Sequence, residues 1–247
     1  MRNIVIGAGH INIKYNSVIA LRGSTGAPGE QEFTLRIANR LSEILRQKGF
    51  NIKQTDANAN DDPTITKTDW DLALFIHYDA NVYGIGGGFV DFPEPSTDSA
   101  TAESQRIVKV IEEQYFPNAE ITNVPARRNA NTKYYYMWKY LTAKTPCAII
   151  ECGVGQDAHD KVILADTDRV CNAIARGICA AFSVNWDTPI SPTSSTITNE
   201  TKIPQIEDKQ VKDIKEELLD LRALAIENKN QIKILGDKII RGRQALE

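Results

Sequence analysis

Five consecutive apolar residues, Leu72 to Ile76, stand between Asp71 and His77, and no other feature constrains the fold of this chain as strongly. A strand with one solvated face alternates apolar and polar side chains, so an unbroken apolar run fits a strand covered on both faces. Periodicity alone leaves a buried helix segment as the alternative. Covering both faces takes flanking layers, and the sequence around the run supplies them. Residues 3–8 form a β-rich run ending in Gly7, Ala8 and Gly9, and a glycine-bearing loop follows. A helical pattern over 31–47 then places Leu35, Ala38, Leu41 and Leu45 on one face, Lys48-Gly49 stops it, and residues 50–54 read as the next strand.

The alternation continues along the chain. Residues 86–92 are expected as a fourth strand, 99–115 as a helix with Ala102, Ile107, Val108 and Ile111 inward, 146–151 as another buried strand, and 161–184 as one closing helix. Strands alternating with helices predict an α/β fold, a mostly parallel twisted sheet flanked by helices, over residues 1–186. Residues 187–206 carry Pro189, Pro192 and Pro204 among many serines and threonines, which is linker composition. From Val211 a new period takes over. Val211, Ile214, Leu218, Leu221, Ala225, Asn228, Ile232, Leu235 and Ile239 are spaced alternately by three and four, a heptad seam that predicts a coiled-coil helix within 207–247. Alone, such a helix would leave its apolar stripe in water, so it is expected to make the protein a homo-oligomer or to attach it to another particle.

A formal charge of −3 gives no long-range attraction to nucleic acid or anionic lipid, and no basic stripe with interleaved aromatics appears. No apolar run is long enough for a membrane span, and the opening MRNIVIGAG lacks a secretory pattern. If the protein acts outside the cell that made it, another device must release it. Cys147, Cys152, Cys171 and Cys179 lie in or beside apolar segments without a CxxC pair, so they are expected as buried thiols.

Chemistry is expected at the strand ends, where side chains from distant segments converge. Two of only three histidines sit there, His10 and His77. Glu30, just before the first helix, could join them, with Glu32 as its substitute; a carboxylate at a helix start is also favoured by the dipole alone. Two nitrogens and one oxygen make a common catalytic Zn2+ set with a fourth position for water. Glu151, ending the strand CAIIE, is the candidate base and acid.

These pieces occur in the order found in the zinc-dependent N-acetylmuramoyl-L-alanine amidases of the Amidase_3 family, which residues 2–184 resemble. IVIGAGH matches its strand, Gly and His opening, GAPGEQEFTLRIANRL its loop, Glu and helix, LALFIHYDA its second His, and PCAIIECGVGQDAHD its Pro-to-Glu-Gly strand end. The resemblance implies His10, Glu30 and His77 as zinc ligands and Glu151 as the catalytic glutamate. It implies bacterial peptidoglycan as substrate, with hydrolysis of the amide between N-acetylmuramic acid and L-alanine. The family commonly has Asp-Pro-Gly-His-Gly where Gly7 to Ile11 stand, Asn at Asp79 and Phe at Val154. A phage endolysin made in the cytoplasm and released through holin lesions, or a lytic part of a phage or injection particle, fits the absence of a leader.

A peptidoglycan zinc carboxypeptidase or peptidase is the alternative enzyme, and an assembly protein with a degenerate amidase fold the non-enzymatic one. Asp79 could orient His77 or serve a turn. Arg127 and Arg128 read as a solvated basic pair, or as cations for stem-peptide carboxylates. Tyr134, Tyr135, Tyr136 and Trp138 could line a groove with one face in the core, and His159 reads as a solvated turn residue. GAGH lacks the order of a dinucleotide fingerprint.

Overall fold

The structure, a computed structural model, describes residues 1–11, 26–56, 59–80, 85–93, 102–128 and 135–187. The linker and coiled-coil expectations, and Tyr134, lie outside the described residues. Among the described residues the elements run β1 (Asn3–Ala8), α1 (Glu30–Gln47), β2 (Asn51–Thr55), α2 (Pro63–Thr66), β3 (Leu72–Asp79), β4 (Phe89–Asp91), α3 (Ala102–Ala119), β5 (Cys147–Val154), α4 (Ala158–Ala165) and α5 (Thr167–Ala181).

The five strands form one sheet in the order β2-β1-β3-β5-β4. Its pairings are parallel except that β4 runs antiparallel to β5. The expectation of a mostly parallel sheet is therefore met, with an antiparallel edge. All eight residues of β3 and of β5 are buried, as the unbroken apolar run of β3 requires, because these two strands lie inside the sheet with layers on both sides.

The pleat divides the side chains between two cores. Ile4, Ile6 and Ala8 of β1, Leu72, Leu74, Ile76 and Tyr78 of β3, and Ala148, Ile150 and Cys152 of β5 face the layer of α1, α3 and α5. Val5, Ala73, Phe75, Cys147 and Ile149 face a smaller core with Met137, Trp138 and Leu141. Alternation then puts His77 and Glu151, one step beyond Phe75 and Ile149 by twos, on that second face. Leu41 of α1 is fully buried in the larger core, where truncation to alanine costs about 2–5 kcal/mol through lost transfer energy and a residual cavity.

Several local expectations need correction. The closing helix is two helices, because Asp166 takes an extended backbone and its carboxylate accepts the Arg169 N–H at 3.1 Å, starting α5 afresh. In α3 Ala102 is exposed rather than inward, and residues 99–101 of that expectation lie outside the described residues; the inward polar position is Ser104, whose Oγ accepts the Cys147 N–H at 3.0 Å. The fourth strand is reduced to three residues, and the Gly86–Gly88 backbone before it is held by other groups described below. All four cysteines are free and buried, as expected. No described helix is long and apolar enough to cross a membrane.

Candidate metal centre

Three segments far apart in sequence deliver His10, Glu30 and His77 to the C-terminal edge of the sheet. The β1–β3 pairing extends past β1 through Gly9, whose N–H donates to the Ile76 carbonyl at 3.1 Å. His10 then turns out of the sheet with φ 59°, a left-handed conformation uncommon for a residue with a side chain. The first turns of α1 fix this turn: Gln31 Nε2 donates to the His10 carbonyl at 2.9 Å, and Thr34 Oγ1 to the Gly9 carbonyl at 2.6 Å. Neither polar residue was expected at the site. Their spacing of three on the first turns of α1 was the only available signal.

Glu30 opens α1 and is buried. Its Oε2 accepts the Ala27 N–H at 2.7 Å, while its Oε1 lies 2.9 Å from His77 Nδ1, 3.3 Å from the Tyr78 N–H donor and 3.5 Å from His10 Nε2. The His10 and His77 rings stand nearly perpendicular, with centroids 4.9 Å apart. One ligand atom from each of the three residues lies within 4.8 Å of the others. Glu32 is exposed and outside this cluster, in which Glu30 lies.

Two glycines make room for this convergence. A Cβ on Gly9 would fall 2.3 Å from the His77 ring, and one on Gly26 would fall 2.4 Å from Glu30 Oε2 and 2.6 Å from His10 Cδ2. Gly26 also has φ 68°, where a side chain is strained even given space.

The electrostatics favour a cation. Burial pushes the Glu30 carboxyl up, but His77, His10 and the Ala27 amide outweigh it and hold the group below its ordinary range, so Glu30 is anionic at neutral pH. A carboxylate only accepts, so without a cation the hydrogen shared with His77 sits on Nδ1, the place that a metal ion bound to both groups would take. His77 Nε2 is buried and has no hydrogen-bond partner among the described residues. An anionic, buried carboxylate oxygen 2.9 and 3.5 Å from two imidazole nitrogens fits a divalent zinc ion, whose protein ligands are of these types.

Glu151 is the register partner of His77 across β3 and β5. It is buried, and its Oε2 lacks a hydrogen-bond partner among the described residues. Burial first, then the charges of Glu30 and Asp79, push its carboxyl well above the ordinary carboxylate range. Tyr135 closes this side, with its ring 5.8 Å from His77 and 5.4 Å from Phe75. Asp79 does not bond His77: it lies buried 3.6 Å from Arg127 Nη1, and burial raises its carboxyl despite that charge.

Arg127 and Arg128 are neither a solvated pair nor exposed cations awaiting a ligand. Arg127 is 5% exposed and donates to the carbonyls of Ile85, Gly86 and Gly87 at 2.7–3.1 Å. Arg128 donates to the Val90 carbonyl and pairs with Glu112. Arg127 holds the segment leading into β4, and Arg128 holds β4 itself. Trp138 is buried in the second core, and Tyr136 packs against Tyr135 and Tyr140. His159 is exposed near the start of α4, as expected.

The family described as Amidase_3, N-acetylmuramoyl-L-alanine amidase, matches residues 4–182. No curated protein matches the chain significantly. Among solved structures, the chain is similar to the catalytic domain of CwlV, an N-acetylmuramoyl-L-alanine amidase from Bacillus (Paenibacillus) polymyxa. There the TM-score is 0.53 at 18% identity, covering 75% of this chain and 100% of that one. Ami1 from Mycobacterium smegmatis gives 0.56 at 15% identity over 74% and 98% of the two chains. AmiC2 of Nostoc punctiforme gives 0.54 at 19% identity over 74% and 97%. At these identities the structures attest the shared α/β fold.

Proposed function

Because this chain belongs to the Amidase_3 family of N-acetylmuramoyl-L-alanine amidases, we propose that it hydrolyses peptidoglycan with zinc held by His10, Glu30 and His77 and with Glu151 as base and acid. The bond cut is the amide between the lactyl group of N-acetylmuramic acid and L-alanine of the stem peptide. The observation that carries the reading is the convergence of His77 Nδ1 and His10 Nε2 on the buried Glu30 Oε1, at 2.9 and 3.5 Å, one strand away from Glu151.

Zinc bound there would supply Lewis acidity at the amide carbonyl and lower the pKa of an attacking water. The protein's own groups do the rest. Glu30 carries the negative charge and sets its Oε1 2.9 Å from His77 Nδ1 and 3.5 Å from His10 Nε2, so the three side chains present one oxygen and two nitrogens to a single point. Glu151 takes the proton from the attacking water and returns it to the departing nitrogen of L-alanine. A carboxyl pushed upward by burial suits this double task, since a group that accepts and then donates works best with a pKa near the working pH. Tyr135 and the buried wall of Phe75 and Ile149 keep that side of Glu151 apolar.

Mass spectrometry of digested, purified peptidoglycan tests the reading. The expected products are glycan chains with free lactyl carboxyls and peptides with a free N-terminal L-alanine. Release of single C-terminal amino acids, or of new reducing ends, would contradict it.

A further inference from the structure

Between His77 and Asp79 the ladder joining β3 to β5 slips. His77 pairs with Glu151 but Asp79 pairs with Val154, so two steps on β3 face three on β5, and the extra residue falls directly after Glu151. Such a bulge bends its strand and re-aims the side chain beside it, and it is rare between parallel strands. It also takes backbone groups out of the ladder, and buried ones need partners from elsewhere.

Three buried side chains from different parts of the fold hold this bulge. Tyr115 of α3, fully buried, donates its hydroxyl to the Cys152 carbonyl at 2.7 Å. Asp160 of α4 accepts the Val154 N–H at 2.9 Å, and the same Oδ2 accepts the Gly87 N–H at 2.5 Å. Asp160 thereby ties the far end of the bulge to the segment entering β4. Arg127 grips that segment by the carbonyls of residues 85–87 and stands 3.6 Å from Asp79, the partner of Val154. The next residue, Gly88, lays its backbone against the bulge, where a Cβ would collide with the Glu151 carbonyl oxygen.

A regular ladder would satisfy the same backbone groups without burying two charged side chains, which is costly. The irregularity falls where β5 carries Glu151, so its effect is felt there. We propose that the bulge is a positioning device for Glu151, and that Tyr115 and Asp160 are positioning residues that aim its carboxyl at the metal centre. The proposal rests on the amidase reading, since that reaction gives Glu151 its proton to move. Neither residue touches the metal ligands or the bond that breaks, so both act on turnover through Glu151 alone.

The test measures kcat, KM and zinc content on the full chain with a soluble N-acetylmuramoyl peptide. Tyr115→Phe removes one hydroxyl and leaves the ring in place. Its kcat is expected to fall about tenfold, inside the roughly hundredfold that a 1 Å misplacement costs, with KM within about twofold and zinc retained. Asp160→Asn, which keeps an acceptor oxygen, should lose less kcat than Asp160→Ala, with folding checked by circular dichroism. Ile111→Val, a core change on the same helix with a comparable loss of stability, should keep the wild-type kcat. A Tyr115→Phe kcat equal to that of Ile111→Val would overturn the positioning role while leaving the amidase reading standing. Crystal structures of the full-length wild type and Tyr115→Phe read the device without turnover. A Glu151 carboxyl displaced by about 1 Å supports it even if neither protein cuts the amide, a result that would sink the amidase reading alone; an unmoved carboxyl overturns the device.

Discussion

Among the described residues, two clusters combine histidine with carboxylates closely enough to hold a metal ion, His10–Glu30–His77 and Asp157–His159–Asp160. Their compositions are alike, and their surroundings differ. In the second, Asp157 Oδ1 accepts the N–H groups of His159 and Asp160 at 2.9 and 3.0 Å, capping α4. Asp160 Oδ2 accepts those of Gly87 and Val154 at 2.5 and 2.9 Å, and the His159 side chain is 66% exposed. Its carboxylates are occupied by backbone, and its imidazole is solvated. In the first, two imidazole nitrogens converge on one buried carboxylate oxygen, and glycines stand where any side chain would collide. Ligand types in proximity are therefore common to both clusters, and what differs is whether backbone amides already occupy the carboxylates.

The largest effect that would sharpen this contrast is expected from Glu151→Gln. Removing a general base and acid typically costs on the order of 10²–10⁴ in rate, and hydrolysis should fall by that much with zinc retained. Near-normal release of stem peptides would remove Glu151 from the mechanism. Next comes metal content. His77→Ala should lose the zinc found by elemental analysis of the purified protein, whereas His159→Ala should keep it, and the reverse pattern would exchange the roles of the two clusters.

Stability should respond in the opposite sense. Asp160→Ala leaves two buried amides unpaired, each costing about 1–3 kcal/mol, so thermal unfolding should shift down markedly with zinc stoichiometry unchanged. A smaller, pH-dependent effect follows from Glu151. Its carboxyl is raised in the fold above the unfolded value, chiefly by burial, so the folded protein binds that proton more tightly. Its contribution to stability is complete below the unfolded pKa, near 4.5, and is lost as pH rises toward the raised value. In zinc-stripped protein, Glu151→Gln should therefore gain on wild type in Tm as pH climbs from 4.5 toward neutrality. A difference that stays constant with pH would show that burial does not perturb this carboxyl. His159→Ala should be the mildest change, within about 0.5 kcal/mol, as for a surface site without special contacts.

The sequence made the parallel core legible because a doubly covered strand leaves a continuous apolar run, and Leu72 to Ile76 is such a run. The strand-end placement of His10, His77 and Glu151 followed from the same reading. Glu30 against Glu32 was not resolvable, since both lie in the first turn and only the fold decides that one is buried and the other solvated. Arg127 was misread for a related reason. A buried arginine whose partners are backbone carbonyls forty residues away leaves no local pattern. The break at Asp166 had a readable cap, yet the apolar spacing on either side of it runs through and masked it. The heptad seam over 211–239 lies outside the described residues, so self-association is tested only in solution.

The central claim is that His10, Glu30 and His77 bind zinc as a unit and that the second cluster does not. Anomalous diffraction at the zinc edge from crystals of the full chain tests it most directly. The account predicts one strong peak about 2.0–2.2 Å from a nitrogen of each histidine and an oxygen of Glu30, with none at Asp157–Asp160. A peak at the second cluster alone, or none at the first from zinc-replete protein, would contradict it.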